Sequence, residues 1–490
     1  MTLAGIRTRS RTRSRTRSRL ARATVATTAA ALAVTLVAGG TAAAKAGPTF
    51  RPGAAGVGDP YFPLLGNGGY DVGHYTLDLS YRPATHWLAG SATINAKATQ
   101  NLSRFDLDFS GMNVHRVTVN SVAATWTRTA EERRITPRSG LFRGEAFSVK
   151  VFYDGSPKTI VGSPIVFGAD YGWQYTPDGA FVGDEPNAAH TWFPSNDHPS
   201  DKASYTFKVS VPSSRGVIAN GELLSKSTRS GWTRYVWDET RPMATYLATM
   251  DIGNWTFDRS RTAKGIPNIT AYDPALASDV RANDDIGLTN RVTDFWAKSF
   301  GPYPFTSTGA IIDNLPNVGF SLETQTRPLY GFAPDPVTLS HELSHQWFGD
   351  SVSVANWRHI WLNDGFATFS MYYWLEHTGT GPSTFDNFRG LWQQIAASSA
   401  FWDQSIADPQ RDTMFSSAVY YRGGMTLAAL RHRIGDADFF QILRTWTATH
   451  RYGNATTAQF VALAERVSGQ DLGSFFRTWL WDKTKPATFG

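Results

Sequence analysis

The stretch DPVTLSHELSHQWFGDSVSVANWRHIWLNDGFATF, residues 335–369, contains the strongest structural signals in the chain. Asp335 is a suitable N-cap for a helix, and Pro336 suits the first helical position because its missing N–H would have no helical partner there. Gly349 follows the last apolar residue of this segment and is a typical helix stop. These signals predict a helix that begins at Pro336 and ends before Gly349.

The predicted helix carries the pattern H-E-x-x-H, formed by His341, Glu342 and His345. Because residues four apart lie one turn apart on the same helix face, both imidazoles can bind one tetrahedral zinc ion. Glu342 is rotated to one side, where it can act on a zinc-activated water without being a ligand. The alternative is a pair of surface histidines on an amphipathic helix.

A zinc hydrolase has three protein ligands and leaves one position for water. The chain has no cysteine, so disulfides are excluded and the third ligand must be His, Asp or Glu. A carboxylate on the following helix is a common solution. Asp364 lies nineteen residues after His345, within the segment W-L-N-D-G-F-A, and is the candidate.

The composition is that of a folded globular protein. The 490 residues are 41% hydrophobic and include 17 Trp, 18 Tyr and 30 Phe, which is enough for several packed cores and suggests two to four domains. The net charge of +6 arises from the first 46 residues, which contain eight Arg, one Lys and no acid. Without these nine cations the net charge is −3, so the composition does not indicate nucleic-acid binding.

Residues 1–46 are typical of an export signal. An Arg-rich region runs to Arg22, an Ala-, Val-, Leu- and Thr-rich region runs from Ala23 to about Gly40, and residues 44–46 form an A-x-A cleavage site before Gly47. We therefore expect a secreted, extracellular protein. A retained membrane anchor is the alternative, although no later segment has 18 consecutive apolar residues, and we expect no stable membrane anchor in the mature chain.

The rest of the chain divides by periodicity. Residues 47–60 are rich in Gly and Pro and predict a flexible leader. Residues 61–255 contain short runs that alternate apolar and polar side chains, which predict antiparallel strands and an all-β, sandwich-like N-terminal domain. Residues 256–490 change to helical spacing, and predict an α-rich domain with a small sheet. The expected class is therefore an α+β multidomain protein.

Helical patterns in the second half are separated by Gly and Pro. The pattern predicts helices at 284–300, at the H-E-x-x-H segment, at 363–377, and, after a loop through Pro409, at 417–434, 436–450, 456–468 and 471–482.

The segment from Ser340 to Thr368 resembles the M1 family of zinc metallo-aminopeptidases, which are gluzincins. The similarity includes G-P-Y-P at 301–304 and T-W-F-P-S-N-D at 191–197, and it is greatest to short secreted bacterial members. The resemblance implies a thermolysin-like catalytic domain with short C-terminal helices and one zinc ion. It implies that His341, His345 and Asp364 are the metal ligands.

Asp364 departs from the family, which has Glu at this position. Asp is one methylene shorter, and its carboxylate reaches about 1.5 Å less far from the backbone. Because zinc–ligand distances tolerate only a few tenths of an ångström, three outcomes are open. The second helix lies closer, Asp364 binds the metal through water, or the site is weak. We expect a bound metal with somewhat reduced affinity, and an inactive protein is the alternative.

The resemblance also implies roles for four more residues. Glu342 would be the general base. Glu323, in F-S-L-E-T where the family has G-x-M-E-N, and Glu185, in G-D-E-P, would bind the substrate's α-amine. Tyr420, in V-Y-Y-R-G, would stabilise the oxyanion. The structural alternatives are a solvated strand-end carboxylate, a loop charge and a core tyrosine, and Tyr421 is the neighbour with which Tyr420 could be confused.

These observations predict a secreted zinc-dependent aminopeptidase that acts on peptides with a free N-terminus and does not bind nucleic acid. Its rivals are a zinc endopeptidase and a catalytically weak or inactive peptide-binding homologue. The sequence does not predict the preferred N-terminal residue, the physiological substrate or the oligomeric state.

Overall fold

Alternating apolar side chains build the first half of the fold. In one of these runs Tyr75, Leu77, Leu79 and Tyr81 are buried, and the residues between them are partly exposed. One face of the strand therefore packs on the core. The computed structural model describes residues 47–129, 131–315, 318 and 320–490, and the expected export signal lies outside the described residues.

The described strands up to Gly253 form three sheets, with the orders β15-β16-β13-β2-β3-β9-β5-β6, β10-β11-β12-β17-β14 and β1-β4-β8-β7. Most neighbours are antiparallel, and β2 with β13 is a parallel pair. The strands are β1 (Arg51–Pro52), β2 (Tyr70–Arg82), β3 (Trp87–Ala98), β4 (Leu102–Asp108), β5 (Asn113–Val119), β6 (Val122–Ala123), β7 (Thr125–Arg128), β8 (Glu132–Thr136), β9 (Ala146–Gly155), β10 (Thr159–Ser163), β11 (Ala169–Tyr175), β12 (Ala180–Gly183), β13 (Lys202–Pro212), β14 (Gly216–Ala219), β15 (Glu222–Arg229), β16 (Trp232–Ala244) and β17 (Met250–Gly253).

The second half combines helices with two small sheets, ordered β18-β19-β20-β22-β21 and β23-β24. Its strands are β18 (Thr256–Arg261), β19 (Pro267–Tyr272), β20 (Thr308–Ile312), β21 (Ser321–Leu322), β22 (Leu329–Tyr330), β23 (Val352–Val354) and β24 (Gly453–Ala455). Its helices are α1 (Ala277–Ala282), α2 (Asp285–Ser299), α3 (Pro336–Ser344), α4 (Trp361–Thr378), α5 (Thr384–Gln394), α6 (Ser417–Ile434), α7 (Asp436–Thr449), α8 (Thr457–Ser468) and α9 (Gly473–Phe476), which continues as a π turn, Arg477–Trp481.

The predicted α+β class, a β-rich half followed by a helical half, is confirmed. Within the described residues, every strand pairing joins strands on the same side of residue 255. The domain boundary placed there stays a prediction. None of the described helices combines the length and hydropathy that a bilayer span requires.

The expected flexible leader, 47–60, is instead attached to the core. Strand β1 pairs in parallel with β4. The Asp59 carboxylate accepts hydrogen bonds from the backbone N–H of Tyr61 at 2.7 Å and of Trp357 at 2.9 Å, and lies 3.1 Å from His198 Nε2. The Gly and Pro content predicted flexibility, but one buried carboxylate with several donors holds the segment in place.

The predicted loop through Pro409 contains helix α5, which the sequence analysis missed. Ser383 caps it, because its hydroxyl accepts a hydrogen bond from the Asp386 N–H at 3.1 Å. Phe388 is fully buried, with its ring centroid 4.7 Å from that of Tyr372 on α4. The helix is short and has one buried face, and Gly381 and Pro382 directly before it concealed the pattern.

A like-charged pair is buried between β4 and β8. The register places Asp108 directly opposite Glu132, an arrangement that is unfavourable when both are ionised. Burial, and after it the charge of Asp106, raises the pKa of Glu132 to about 7. Asp108 Oδ2 accepts three hydrogen bonds, whereas neither carboxylate oxygen of Glu132 has a partner among the described residues. Glu132 is therefore a buried carboxyl group that is unfavourable when ionised.

We expect this pair to make the fold less stable as the pH rises. The pKa of Glu132 in the folded protein lies above its ordinary value of 4.5. Its stabilising contribution to the free energy of unfolding is therefore fully present below pH 4.5 and is lost as the pH rises through about 7. Between pH 5 and pH 8 the free energy of unfolding should fall by about 1–3 kcal/mol, the cost of an uncompensated buried group, and Glu132→Gln should abolish this fall. Urea unfolding at the two pH values measures the difference. The exposed neighbour supplies the control Glu131→Gln, and an unchanged pH dependence in Glu132→Gln would contradict the raised pKa of Glu132.

Candidate metal centre and active site

The N-terminus of α3 is fixed as the sequence predicted. Asp335 Oδ1 accepts hydrogen bonds from the backbone N–H of Val337 at 2.8 Å and of Thr338 at 3.1 Å, and Pro336 is the first helical residue. The helix ends at Ser344, earlier than predicted, because residues 345–350 turn and Asp350 N–H bonds back to His345 C=O at 3.0 Å.

His341 on α3 and His345, the C-cap residue directly after it, point to the same place. Their ring centroids are 4.9 Å apart. His345 Nδ1 lies 2.9 Å from the Phe348 carbonyl oxygen, so Nδ1 carries the proton and donates it. Nε2 is then left as a free lone pair, which is the arrangement that metal-binding histidines adopt. Burial, and then the neighbouring His345, lowers the pKa of His341 and favours the neutral form that a metal ligand requires.

Helix α4 brings Asp364 to these histidines because it contacts α6 at two glycines. A Cβ added to Gly365 would lie 2.9 Å from Gly423 Cα, and one added to Gly423 would lie 2.6 Å from Gly365 Cα. Real Cβ atoms do not approach so closely, so this contact requires glycine on both helices. Both glycines lie within the motifs W-L-N-D-G-F-A and V-Y-Y-R-G, but no local pattern predicts their contact.

Asp364 completes a group that fits a metal ion. One ligand atom from each of His341, His345 and Asp364 lies within 4.8 Å of the others, and Asp364 Oδ1 is 3.9 Å from His345 Nε2. Ligand atoms of a tetrahedral zinc site are separated by about 3.4 Å. Asp364 Oδ2 is buried and has no hydrogen-bond partner among the described residues.

Two histidine nitrogens and a carboxylate are donors that zinc prefers. The distance from Asp364 Oδ1 to His345 Nε2 exceeds the tetrahedral value by only about half an ångström, which side-chain rotation can remove. The distances therefore favour the first of the three outcomes for Asp364, in which the second helix lies close enough for the shorter side chain.

The neighbouring carboxylates form a second, overlapping group. Ligand atoms of Glu323, Glu342 and His345 also lie within 4.8 Å of one another, and all three residues are buried. Burial, followed by the charges of Glu323 and Asp364, raises the pKa of Glu342. Glu323 follows the short strand β21, and its backbone carbonyl accepts a hydrogen bond from Gln346 Nε2 at 3.2 Å. A solvated strand-end carboxylate is therefore excluded for Glu323, which is 3% exposed.

Glu185 lies two residues after β12, on the N-terminal side of the site. Burial is the first cause of its raised pKa, and the charge of Glu323 is the second. The charges of Asp364 and Glu342 also contribute to this shift, so Glu185 shares one electrostatic environment with Glu323, Asp364 and Glu342. When all four are ionised, four carboxyl groups in one buried site carry more negative charge than a single divalent cation neutralises, which is one reason why the pKa values of Glu185, Glu342 and Asp364 are raised.

Tyr420, and not its neighbour, faces the metal group. Its ring stacks parallel to His341, with centroids 6.1 Å apart and an interplanar angle of 12°. Burial and then the charge of Glu323 raise the pKa of Asp364, and the nearby Tyr420 hydroxyl opposes them by favouring the ionised form. Tyr421 instead lies beside Tyr372 on α4, whose pKa is raised first by burial and second by the neighbouring Tyr421.

Three residues near the site were not predicted. Lys202 Nζ, on β13, donates to the carbonyls of Asp350 at 2.6 Å and Ser351 at 3.1 Å, directly after the metal helix. Tyr246 donates to the Gly349 carbonyl at 3.3 Å. Asp350 is buried, and neither carboxylate oxygen has a partner among the described residues. These contacts depend on pairing between the two halves, and no local sequence pattern signals them.

A β-rich half, followed by a helical half in which an H-E-x-x-H helix meets a carboxylate from the next helix, defines the class of two-domain metallopeptidases. Sequence models of both parts match the chain: the peptidase M1 N-terminal domain over residues 72–247 and the peptidase family M1 domain over residues 336–479. The chain belongs to the M1 peptidase family.

Similar proteins agree with this assignment. A crystal structure of an M1 zinc metallopeptidase from Deinococcus radiodurans superposes with a TM-score of 0.82 and 28% identity, covering 89% of this chain and 99% of that one. Another structure of the enzyme from that organism contains a Tyr-Ser-Ala substrate. A leucyl aminopeptidase of Saccharolobus solfataricus is 25% identical over 406 residues, which are 78% of this chain and 49% of the relative. Aminopeptidase M1 of Arabidopsis thaliana is 24% identical over 62% of this chain and 36% of the relative. The chain thus spans half or less of the length of these curated relatives.

Proposed function

We propose that this chain is a secreted zinc aminopeptidase that removes the first residue of peptides. The observation that carries the proposal is the meeting of two groups at one buried place. His341, His345 and Asp364 fit a metal ion, and Glu323 and Glu342 adjoin them within hydrogen-bonding or electrostatic reach. The relatives named as aminopeptidases support the activity, and the Arg-rich, apolar first 46 residues support export.

The metal-binding residues are His341, His345 and Asp364, and they would hold one zinc ion. Zinc supplies Lewis-acid chemistry, since it polarises a carbonyl group and makes water a stronger acid and nucleophile. The protein fixes the ligands before the metal binds. The hydrogen bond from His345 Nδ1 to the Phe348 carbonyl sets the tautomer, and the Gly365–Gly423 contact sets the position of Asp364.

Glu342 carries out the proton transfer. Its carboxylate takes a proton from the attacking water and returns it to the amine that leaves. Burial and the neighbouring carboxylates raise its pKa, which makes Glu342 a stronger base than a solvent-exposed glutamate. The hydroxyl of Tyr420 donates a hydrogen bond to the oxygen on which negative charge develops. Its stacking on His341 holds it in place for this role.

The amine-binding pair is Glu323 and Glu185. A peptide α-ammonium group supplies the positive charge that the site needs in addition to a divalent metal ion. Holding this group fixes how far the chain enters, and places the first peptide bond at the metal. The charge balance therefore favours an exopeptidase over an endopeptidase.

The test is metal analysis of the purified protein together with hydrolysis of alanyl and leucyl anilides. We expect one zinc ion per chain and hydrolysis that is lost on chelation and restored by zinc. Absence of stoichiometric zinc together with no hydrolysis would overturn the proposal. Cleavage of Nα-acetylated peptides at least as fast as free ones would replace it with an endopeptidase.

Asp364→Glu tests whether the shorter ligand is matched to its surroundings. The glutamate carboxylate would reach about 1.5 Å farther into a site already spaced for Asp. Misplacement of about 1 Å at a catalytic centre costs about 10²-fold, so we expect a similar fall in kcat/KM and weaker zinc retention. Zinc content during titration with a chelator measures retention. Tighter zinc binding in Asp364→Glu would contradict direct ligation by Asp364, and Asp364→Asn is the control for charge.

A further inference from the structure

An apolar cavity of about 450 Å³ opens beside the proposed active site. Glu185 and Tyr420 lie in its wall. The remainder of the wall is largely aliphatic and aromatic and comes from both halves of the chain. It includes Val166, Phe167, Tyr171, Phe320, Leu322 and Phe415.

The position of this cavity relative to the active site identifies what enters it. In the proposed function Glu185 binds the α-amine and Tyr420 binds the carbonyl oxygen of the same residue. The Cα atom of that residue lies between these two groups. A cavity whose wall contains both Glu185 and Tyr420 therefore receives the side chain of the first residue.

The described part of the wall offers no free charge to that side chain. Among the described residues that line the cavity, Glu185 is the only Asp, Glu, Lys, Arg or His, and the substrate amine occupies that carboxylate. The Tyr171 hydroxyl donates to Asn187 Oδ1 at 2.7 Å, so this residue presents its ring to the cavity. A charged side chain would lose its hydration without gaining a partner.

Phe167 is the exposed part of the wall. Its side chain is 70% exposed, although aromatic residues usually bury most of their surface. It follows the short 3-10 turn Pro164–Val166 and has a φ of 57°, which holds it at the tip of the loop. An apolar substrate side chain in the cavity would remove part of this ring from water.

We infer that this cavity selects peptides whose first residue has a large, uncharged apolar side chain. The inference rests on the proposed aminopeptidase function and adds its substrate class. A cavity of about 450 Å³ lies within the range of about 300–1,000 Å³ typical of ligand pockets. Alanine would leave most of its apolar wall uncovered. In a hydrophobic pocket, one methylene group changes kcat/KM by about 10- to 200-fold.

The first experiment compares kcat/KM for leucyl, phenylalanyl, alanyl, glutamyl and lysyl anilides with the zinc-loaded protein. We expect leucyl and phenylalanyl substrates to exceed the other three by at least about 10-fold. An alanyl or lysyl substrate that equals or exceeds them overturns the inference.

Calorimetry with free L-leucine, L-phenylalanine and L-alanine gives a second readout that needs no turnover. Tighter binding of the large amino acids supports the cavity assignment, and equal or weaker binding overturns it. If no substrate is hydrolysed but large amino acids still bind more tightly, the proposed function fails and the cavity assignment stands. If hydrolysis occurs without side-chain preference, the proposed function stands and the cavity assignment fails.

Phe167→Asp places a carboxylate in the wall. Asp tolerates the left-handed conformation of this position, and the exposed ring contributes little to the core. We expect the ratio of lysyl to leucyl kcat/KM to rise by about 10-fold or more. Val161→Asp is the matched control, because Val161 is 73% exposed on the preceding strand and does not line the cavity. If Phe167→Asp and Val161→Asp give the same ratio of lysyl to leucyl kcat/KM, the inference is overturned.

Ala169→Phe provides an independent check. Ala169 also lines the cavity, and a phenyl ring there would fill part of its volume. We expect hydrolysis of leucyl and phenylalanyl substrates to fall about 10-fold or more relative to alanyl hydrolysis. An unchanged ratio contradicts the assignment of this cavity to the first side chain.

Discussion

Glu342→Gln is expected to lower kcat for aminoacyl anilides by about 10²–10⁴-fold, the usual contribution of a general base. The amide has nearly the shape of the carboxylate but cannot accept and return a proton. His341, His345 and Asp364 are unchanged, so zinc content should remain the same. The KM should change little, because Glu342 is proposed to act on water and not on the bound peptide.

The structure also predicts that this variant folds. Burial and neighbouring carboxylates raise the pKa of Glu342, which means that a charged group is unfavourable there in the absence of metal. A neutral amide should therefore leave the thermal unfolding midpoint of the metal-free protein unchanged or raised. Retained activity with full zinc content would refute the proton-transfer role. Lost zinc would instead show that Glu342 contributes to the metal site itself.

The local signals of the sequence predicted the elements of the site well. The cap at Asp335 and the proline at position 336 define the start of α3, since an N-cap depends only on neighbouring backbone groups. The strict alternation in residues 75–81 likewise predicted β2 because one face of a strand must be buried. The motif residues were thereby placed on the correct helices before any packing was known.

The parts that the sequence did not predict depend on contacts between distant segments. The close approach of α4 to α6 requires both Gly365 and Gly423. Both glycines lie inside helices, where no local turn signal indicates why glycine is needed. Lys202 reaches the loop after α3 from a strand whose pattern predicted only alternation. The attachment of the leader was not predicted either, because the partners of Asp59 lie on chain segments far away in sequence.

Glu323→Gln is expected to reduce kcat/KM for substrates with a free α-amine by an amount equivalent to about 2–5 kcal/mol, the usual cost of removing one partner of a buried charge pair. Glu323 is 3% exposed, so little solvent is available to replace the lost carboxylate. Slow hydrolysis of Nα-acetylated peptides should not fall, since these substrates carry no ammonium group for Glu323 to bind.

The ratio of free to blocked hydrolysis is therefore the measurement that identifies an exopeptidase. Glu185→Gln is the companion variant, because Glu185 is the second member of the proposed amine site and should change the same ratio in the same direction. Glu376→Gln is the control, since Glu376 pairs with Arg431 at 3.0 Å on the far end of α4 and belongs to neither proposed group. If Glu323→Gln lowers both rates equally, Glu323 serves the metal and not the amine. The discrimination between exopeptidase and endopeptidase would then have to come from Glu185 alone, and Glu185→Gln by itself should lower the ratio of free to blocked hydrolysis.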